Sequence, residues 1–175
     1  MELLENFFYS YYIKSITYYK LYFHYQTKIN KIIDNIYLGD INGALDKTQL
    51  ENNNITNIIT VLLGGIPIFD DYNYLIINVI DNDYNFQHNN ISKYFTQTNE
   101  FIEQSIKKNE NVYIHCIAGV SRSATIICAY LIWKYNMTVD EAINKIKEKR
   151  SIINPNIYFR EQLNNYYNEL NNTLL

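Results

Sequence analysis

Cysteine, proline, glycine, histidine, arginine and tryptophan are all scarce in this chain of 175 residues. Two cysteines argue against the disulfide framework of a secreted scaffold and for a reducing compartment, the cytoplasm. Two prolines and five glycines leave no stretch that reads as a flexible linker. Neither an internal repeat nor a second domain is visible. Fifteen basic residues against eighteen acidic give a net charge of −3. No basic run of the kind expected for nucleic acid or acidic membranes stands out. The histidines have no metal-ligand spacing, so no metal and no other cofactor is expected. What remains suits one domain, long enough to bury a proper core.

The scarce residues that exist converge. His115, Cys116, Gly119 and Arg122 fall within one short segment, just after the apolar run Val112-Tyr113-Ile114. Only Arg122, Arg150 and Arg160 are arginine in a chain that otherwise uses lysine. The run before Cys116 is β-branched and aromatic and predicts a buried parallel strand. The stretch after Ser123, which lacks Gly and Pro, predicts a largely buried helix. Between them, Cys-x-x-x-x-x-Arg with a glycine near its middle can curl so that successive backbone N–H groups face one point. The helix N-terminus adds its positive end there. An anion belongs in such a loop. Arg122 can clamp two phosphate oxygens with a planar fork, which lysine cannot do. Cys116 sits at the base of the loop, where the same field favours thiolate and so a nucleophile.

The segment His115-Cys116-Ile117-Ala118-Gly119-Val120-Ser121-Arg122-Ser123 resembles the phosphate-binding loop of the cysteine-dependent protein phosphatases. Its Ala-Gly-x-Ser-Arg-Ser form is most similar to the dual-specificity subfamily. Asn35-Ile36-Tyr37-Leu38-Gly39 resembles the family's opening strand, and Ile91-Ser92-Lys93-Tyr94-Phe95 the helix before its catalytic strand. Lys149-Arg150-Ser151-Ile152-Ile153-Asn154-Pro155-Asn156, with Phe159, Gln162 and Leu163, resembles its C-terminal segment. The likeness covers residues 29–170. It implies an α/β fold, a mostly parallel central sheet flanked by helices as in protein tyrosine phosphatases. The activity it implies is hydrolysis of phosphotyrosine, and of phosphoserine and phosphothreonine, through a phosphocysteine intermediate.

The resemblance also implies roles. Ile117, Ala118, Gly119, Val120, Ser121 and Arg122 would hold the phosphoryl group, and Ser123 would hydrogen-bond the Cys116 sulfur. His115 would order the loop backbone and help hold the thiolate, and Asn156 would brace the loop from a neighbouring segment. The leaving oxygen needs a proton from a carboxylic acid that can later activate water. In the family this is an Asp after a strand upstream of the cysteine. Asp81, after Val79-Ile80, is the candidate, and Asp83 the alternative. Arg150 reads either as a contact to a second phosphate or an acidic substrate side chain, or as a cation ending a helix. Cys128 reads as a small core residue, with a guard against over-oxidation of Cys116 as the other reading. Uncharged residues at 117–120 argue against a phosphoinositide substrate. An RNA 5′-triphosphatase of the same superfamily lacks support, because the loop has no Asn-Arg-Thr and the chain is not basic. A non-catalytic phosphoprotein-binding module conflicts with the retention of Cys116 and Arg122.

Along the chain, periodicity and breakers predict alternating strands and helices. Strands are expected at 36–38, 55–63, 74–80 and 112–116. Helices are expected near 44–51, at 91–108, at 123–135, and after Thr138-Val139-Asp140-Glu141, a capping box. Pro155 stands where a last helix can begin. Residues 1–28 predict an extra aromatic-rich helix before a catalytic domain at 29–175. Leu4, Phe7, Phe8, Tyr11, Tyr18, Tyr22 and Tyr25 fall near one stripe; Tyr9, Ile13, Ile16, Tyr19 and Phe23 form another. Lys14 and Lys20 interrupt any membrane span, and no signal-peptide layout is visible. A helix apolar on two faces packs against protein, and a homodimer through this segment is expected. The compact length and such a helix are similar to poxviral members of the subfamily, which would put the protein in a host cell or virion.

Overall fold

The computed structural model describes residues 29–81 and 90–172. The expected helix over residues 1–28, with its association role, and the alternative acid Asp83 lie outside the described residues. Five strands form one sheet: β1 Asn30–Ile33, β2 Ile36–Gly39, β3 Ile55–Val61, β4 Asn73–Ile77 and β5 Asn111–His115. Their order is β1-β2-β5-β3-β4. Only β1 runs antiparallel to its neighbour, and β2, β5, β3 and β4 are mutually parallel. The central strand β5 therefore points its C-terminal end, and Cys116 after it, at the edge where parallel strands open onto a ligand crevice.

Helices cover both faces, as expected. One face carries α1 Ile41–Leu45 and α2 Lys47–Asn52. These pack Ile41, Ala44 and Leu50 on Tyr37, Ile58 and Tyr113. The larger face carries α3 Phe95–Lys107, α4 Arg122–Tyr135, α5 Val139–Lys147 and α6 Ile157–Asn172. There Ile126, Ile127, Ala129, Phe159 and Leu163 pack on Ile59, Val61, Val112 and Ile114. Alternate residues of β3 and β5 serve opposite cores, which is why both strands read as continuous apolar runs instead of alternating ones. No helix among the described residues is long and apolar enough to cross a membrane.

Several boundaries differ from the sequence expectation: β3 ends at Val61 instead of residue 63, the helix expected near 44–51 is the pair α1 and α2, and α3 begins at Phe95 after a 3-10 turn at Ser92–Tyr94. Strand β1 has no signal beyond Ile32 and Ile33; pairing with β2 across the Asp34-Asn35 turn makes it a strand. Asn35 holds φ +65° in that turn. Asn54, Asn109 and Asn136 take the left-handed region in other turns, so asparagine does here what glycine does elsewhere. Strand β4 stops at Ile77, short of residue 80, because β3, its only partner among the described residues, ends at Val61 opposite Ile77. The Asn78 side chain instead accepts the Gly64 N–H at 3.0 Å. Helix α6 begins at Ile157, with the Asn156 side chain accepting the Phe159 N–H at 2.9 Å. Pro155 precedes the cap. The capping box at Thr138 and Glu141 forms as expected.

Tyr113 is wholly buried and donates its hydroxyl to the Asp40 carbonyl at 2.7 Å. A Cβ on Gly39 would collide with that hydroxyl and the ring carbons behind it. Gly39→Ala should therefore cost about 1–3 kcal/mol from overpacking. Tyr113→Phe alone should cost about 1 kcal/mol, because the Ala44 N–H still occupies that carbonyl. The double variant should be more stable than Gly39→Ala alone, since the closest clash is gone. Urea midpoints of the three variants check this, and strictly additive losses would refute the packing account.

Candidate active site

The loop from Cys116 to Ser121 joins β5 to α4, and its carbonyls are all tied to partners outside it. Ile117 O accepts from Ile41 N at 3.1 Å, Val120 O from Asn154 N at 2.9 Å, and Ser121 O from Thr125 N at 2.9 Å. Ala118 O and Gly119 O accept from Arg150, Nη2 at 3.2 Å and Nε at 2.8 Å. In a trans peptide the N–H of the next residue points opposite to the carbonyl. Holding five successive carbonyls outward thus turns the N–H groups of residues 118–122 inward. The Gly119 N–H accordingly donates to Cys116 Sγ at 3.2 Å. Gly119 has φ +63°, and a Cβ there would strike the Gly39 backbone and the Arg150 guanidinium. Helix α4 starts at Arg122 with its buried N-terminus on the same spot, so amides and helix dipole favour an anion together.

Cys116 lies 1% exposed at the floor of this loop. Ser123 Oγ donates to its sulfur at 3.3 Å, which puts two donors on one thiol. His115 points to the other face of the sheet, stacked on Tyr113. Burial, reinforced by the charge of Arg122, pushes its imidazole down to about 4 despite the Cys116 carbonyl contact. The neutral ring suits its neighbours. Nδ1 lies 3.4 Å from the Cys116 carbonyl and donates to it, and Nε2 accepts the Thr60 hydroxyl at 2.9 Å. A neutral imidazole lends no full positive charge to the sulfur, and His115 instead ties the Cys116 carbonyl at the loop's entry to Thr60.

Arg122 is 8% exposed. Its Nη1 donates to the Val79 carbonyl at 3.3 Å. Its Nε lies 3.5 Å from Asp81 Oδ2, within ion-pair range, yet makes no hydrogen bond. A buried guanidinium N–H without an acceptor is costly in an apolar protein and fits a group made to meet an oxyanion. Asp81 stands beside it. Its Oδ1 accepts from Ser121 Oγ at 3.0 Å and from Asn156 Nδ2 at 2.9 Å. The Asn156 N–H in turn donates to Ser121 Oγ at 3.2 Å. Ser121 and Asn156 thereby carry the carboxylate to the loop, although Asp81 lies four residues beyond β4 and not at a strand end.

The structure brings together Cys116, Ile117, Ala118, Gly119, Val120, Ser121, Arg122 and Ser123, with His115, Asp81 and Asn156 around them. Asp83 lies outside the described residues. Arg150 follows the end of α5, its N–H on the Ile146 carbonyl at 2.9 Å, while its buried guanidinium is occupied by loop carbonyls and by Asn30 Oδ1 at 2.8 Å. Cys128 lies in the core of α4, and burial pushes its thiol up to about 12, so it stays protonated. The sequence assigns no individual role to Thr60 or Gln162. Gln162 Oε1 accepts the N–H groups of Ile91 and Ser92 at 2.8 and 2.9 Å, pinning the segment that leads into α3 to α6. The signal for Thr60 is a buried hydroxyl flanked by Ile58, Ile59 and Val61 in β3. Among the described residues no cluster of acidic, histidine or cysteine side chains could hold a metal.

Comparison with known proteins agrees with this geometry. The family model described as dual specificity phosphatase, catalytic domain, matches residues 36–169. Dual specificity protein phosphatase 22-B of Danio rerio is 36% identical over 138 residues, 79% of this chain and 73% of that protein. Dual specificity protein phosphatase 1 of Arabidopsis thaliana is 36% identical over 129 residues, 73% of this chain and 63% of that protein. The crystal structure of DUSP15, 33% identical, superposes with a TM-score of 0.74 over 83% of this chain and 94% of that one. With the loop, its helix and its sheet all matched, the chain belongs to the dual specificity protein phosphatase family.

Proposed function

We propose that this domain hydrolyses phosphotyrosine, and with it phosphoserine and phosphothreonine, on phosphoproteins by way of a phosphocysteine on Cys116. The observation that carries this reading is the set of outward-tied carbonyls at 117–121, with Cys116 Sγ at the focus of the opposing amides. In the first step Sγ forms a bond to phosphorus and the bond to the leaving oxygen breaks. Asp81 gives that oxygen its proton. Arg122 and the loop amides stabilise the charge on the phosphoryl oxygens in flight. In the second step water attacks phosphorus, Asp81 takes its proton, and the S–P bond breaks. The Ser123 hydroxyl, already on the sulfur, stabilises the departing thiolate. Uncharged side chains at Ile117, Ala118 and Val120 support a monoester on a protein over a multiply phosphorylated lipid headgroup. Retention of the thiol, the guanidinium and a neighbouring carboxylate supports turnover over simple phosphoprotein binding.

Cys116→Ser should abolish turnover of a phosphotyrosine peptide while keeping phosphate binding, because the loop carbonyl ties do not involve the sulfur. Arg122→Lys should lose activity as well, since a point charge cannot replace the fork. Near-normal turnover by Cys116→Ser would refute the covalent mechanism.

The activity should follow a bell-shaped pH profile, with ionisation of the nucleophile on the acid limb and loss of the protonated acid on the alkaline limb. Asp81→Asn should lower the maximum rate by roughly a hundredfold or more and flatten the alkaline limb. The loss should be largest for poor leaving groups. Asp83→Asn should do much less, and the reverse ranking would transfer the role to Asp83.

The reading extends to assembly and location. A thiol nucleophile and a second free cysteine, both unpaired, support a reducing compartment, the cytoplasm. Two apolar stripes within residues 1–28 support a homodimer through that segment. Light scattering should find the full chain dimeric and a chain starting at Lys28 monomeric yet active on a small aryl phosphate. A monomeric full chain at micromolar concentration would sink the dimer.

A further inference from the structure

We propose that Arg150 is a positioning residue for the anion site, its guanidinium turning the two central peptides of the loop so that their amides face the reacting group. This inference rests on the phosphatase reading above and deepens it. Of the five loop carbonyls, three are held by backbone N–H groups of neighbouring elements: Ile41, Asn154 and Thr125. The middle two, on Ala118 and Gly119, are held by one side chain. The Ala118–Gly119 peptide carries the N–H that donates to Cys116 Sγ. The Gly119–Val120 peptide carries the next N–H along. Arg150 is thus separated from the sulfur by a single rigid peptide plane, gripping its carbonyl while the opposite end touches Sγ.

Three features make this a matter of orientation beyond simple satisfaction of polar groups. Gly119, at φ +63°, is the most freely rotating residue of the loop. The planar fork of Arg150 fixes the peptides on both sides of it at once. The guanidinium is itself fixed by Asn30 Oδ1 at the start of β1, and it is only 8% exposed. Its positive charge also polarises both peptides, so their N–H ends present more positive charge to an anion. A lysine at this position could reach one carbonyl and leave the other peptide free to turn.

The test uses Arg150→Lys and Arg150→Gln in the full chain, with Lys149→Gln as a control for loss of a nearby exposed cation. Inhibition by orthovanadate, KM and kcat for a small aryl phosphate, the acid limb of the pH profile and the urea midpoint are measured for each. Arg150→Gln should weaken orthovanadate inhibition and raise KM on the order of tenfold, the scale of one hydrogen bond to a charged group. Its acid limb should move to higher pH, because the Gly119 N–H no longer bears on the sulfur. Arg150→Lys should fall between Gln and wild type, and Lys149→Gln should match wild type. Folded variants with unchanged orthovanadate inhibition and an unmoved acid limb would overturn the inference. So would failure of both Arg150 variants to fold, which would make Arg150 a general structural residue. A wild-type chain that neither binds orthovanadate nor turns over substrate would instead refute the phosphatase reading itself.

Discussion

Five peptide units with their N–H ends turned toward one point repel one another until an anion arrives, so each must be held in place from behind. That constraint explains more of this fold than any single core contact. The Ile41 N–H comes from the first turn of α1, the Thr125 N–H from α4, and the Asn154 N–H and Arg150 from the segment joining α5 to α6. Elements on both faces of the sheet therefore meet behind one short loop. Burying the Arg150 guanidinium costs desolvation. Hydrogen bonds to three oxygens offset it, as a buried charge requires.

The acid side of the site is built on the same loop. Ser121 lends its carbonyl to α4 and its hydroxyl to Asp81. Asn156 caps α6, holds Ser121 and binds Asp81, all from one residue. Loop and carboxylate thus cannot drift apart without breaking the start of α6. Arg122 sits between them, near Asp81 yet with its Nε uncommitted. A phosphoryl dianion would compete for that guanidinium. Asp81 keeps its two hydrogen bonds to Ser121 and Asn156 and so stays beside the loop as that exchange takes place.

Buried polar residues on the other face of β5 serve the entry to the loop. Thr60, His115 and Tyr113 form a column in which a neutral imidazole is both donor and acceptor. Tyr113 reaches past Gly39 to the Asp40 carbonyl. Asp40 caps α1 by accepting the Gly43 N–H, and burial raises its carboxyl while Gly43 and Arg150 counter the rise. The column links the end of β2 to the end of β5, and those two strand ends frame the site.

The amino-acid sequence by itself determined the fold class, the strand–loop–helix around Cys116 and the identity of the loop residues. Those features are local: a buried strand, a glycine, an arginine and an uninterrupted helix lie within about two dozen consecutive positions, where periodicity and spacing carry the information. The capping box at Thr138 was legible for the same reason. Strand β1, the early end of β4 and the work of Arg150 were not. A four-residue edge strand exists only because β2 pairs with it, and β4 ends where its partner ends. Arg150 reads on a page as a cation after a helix. Only the folded chain shows its fork closed on two carbonyls 31 and 32 residues away. Contacts across such separations leave no periodic trace, because the side chain that reaches them is chosen by the geometry of elements that meet only when the sheet has formed.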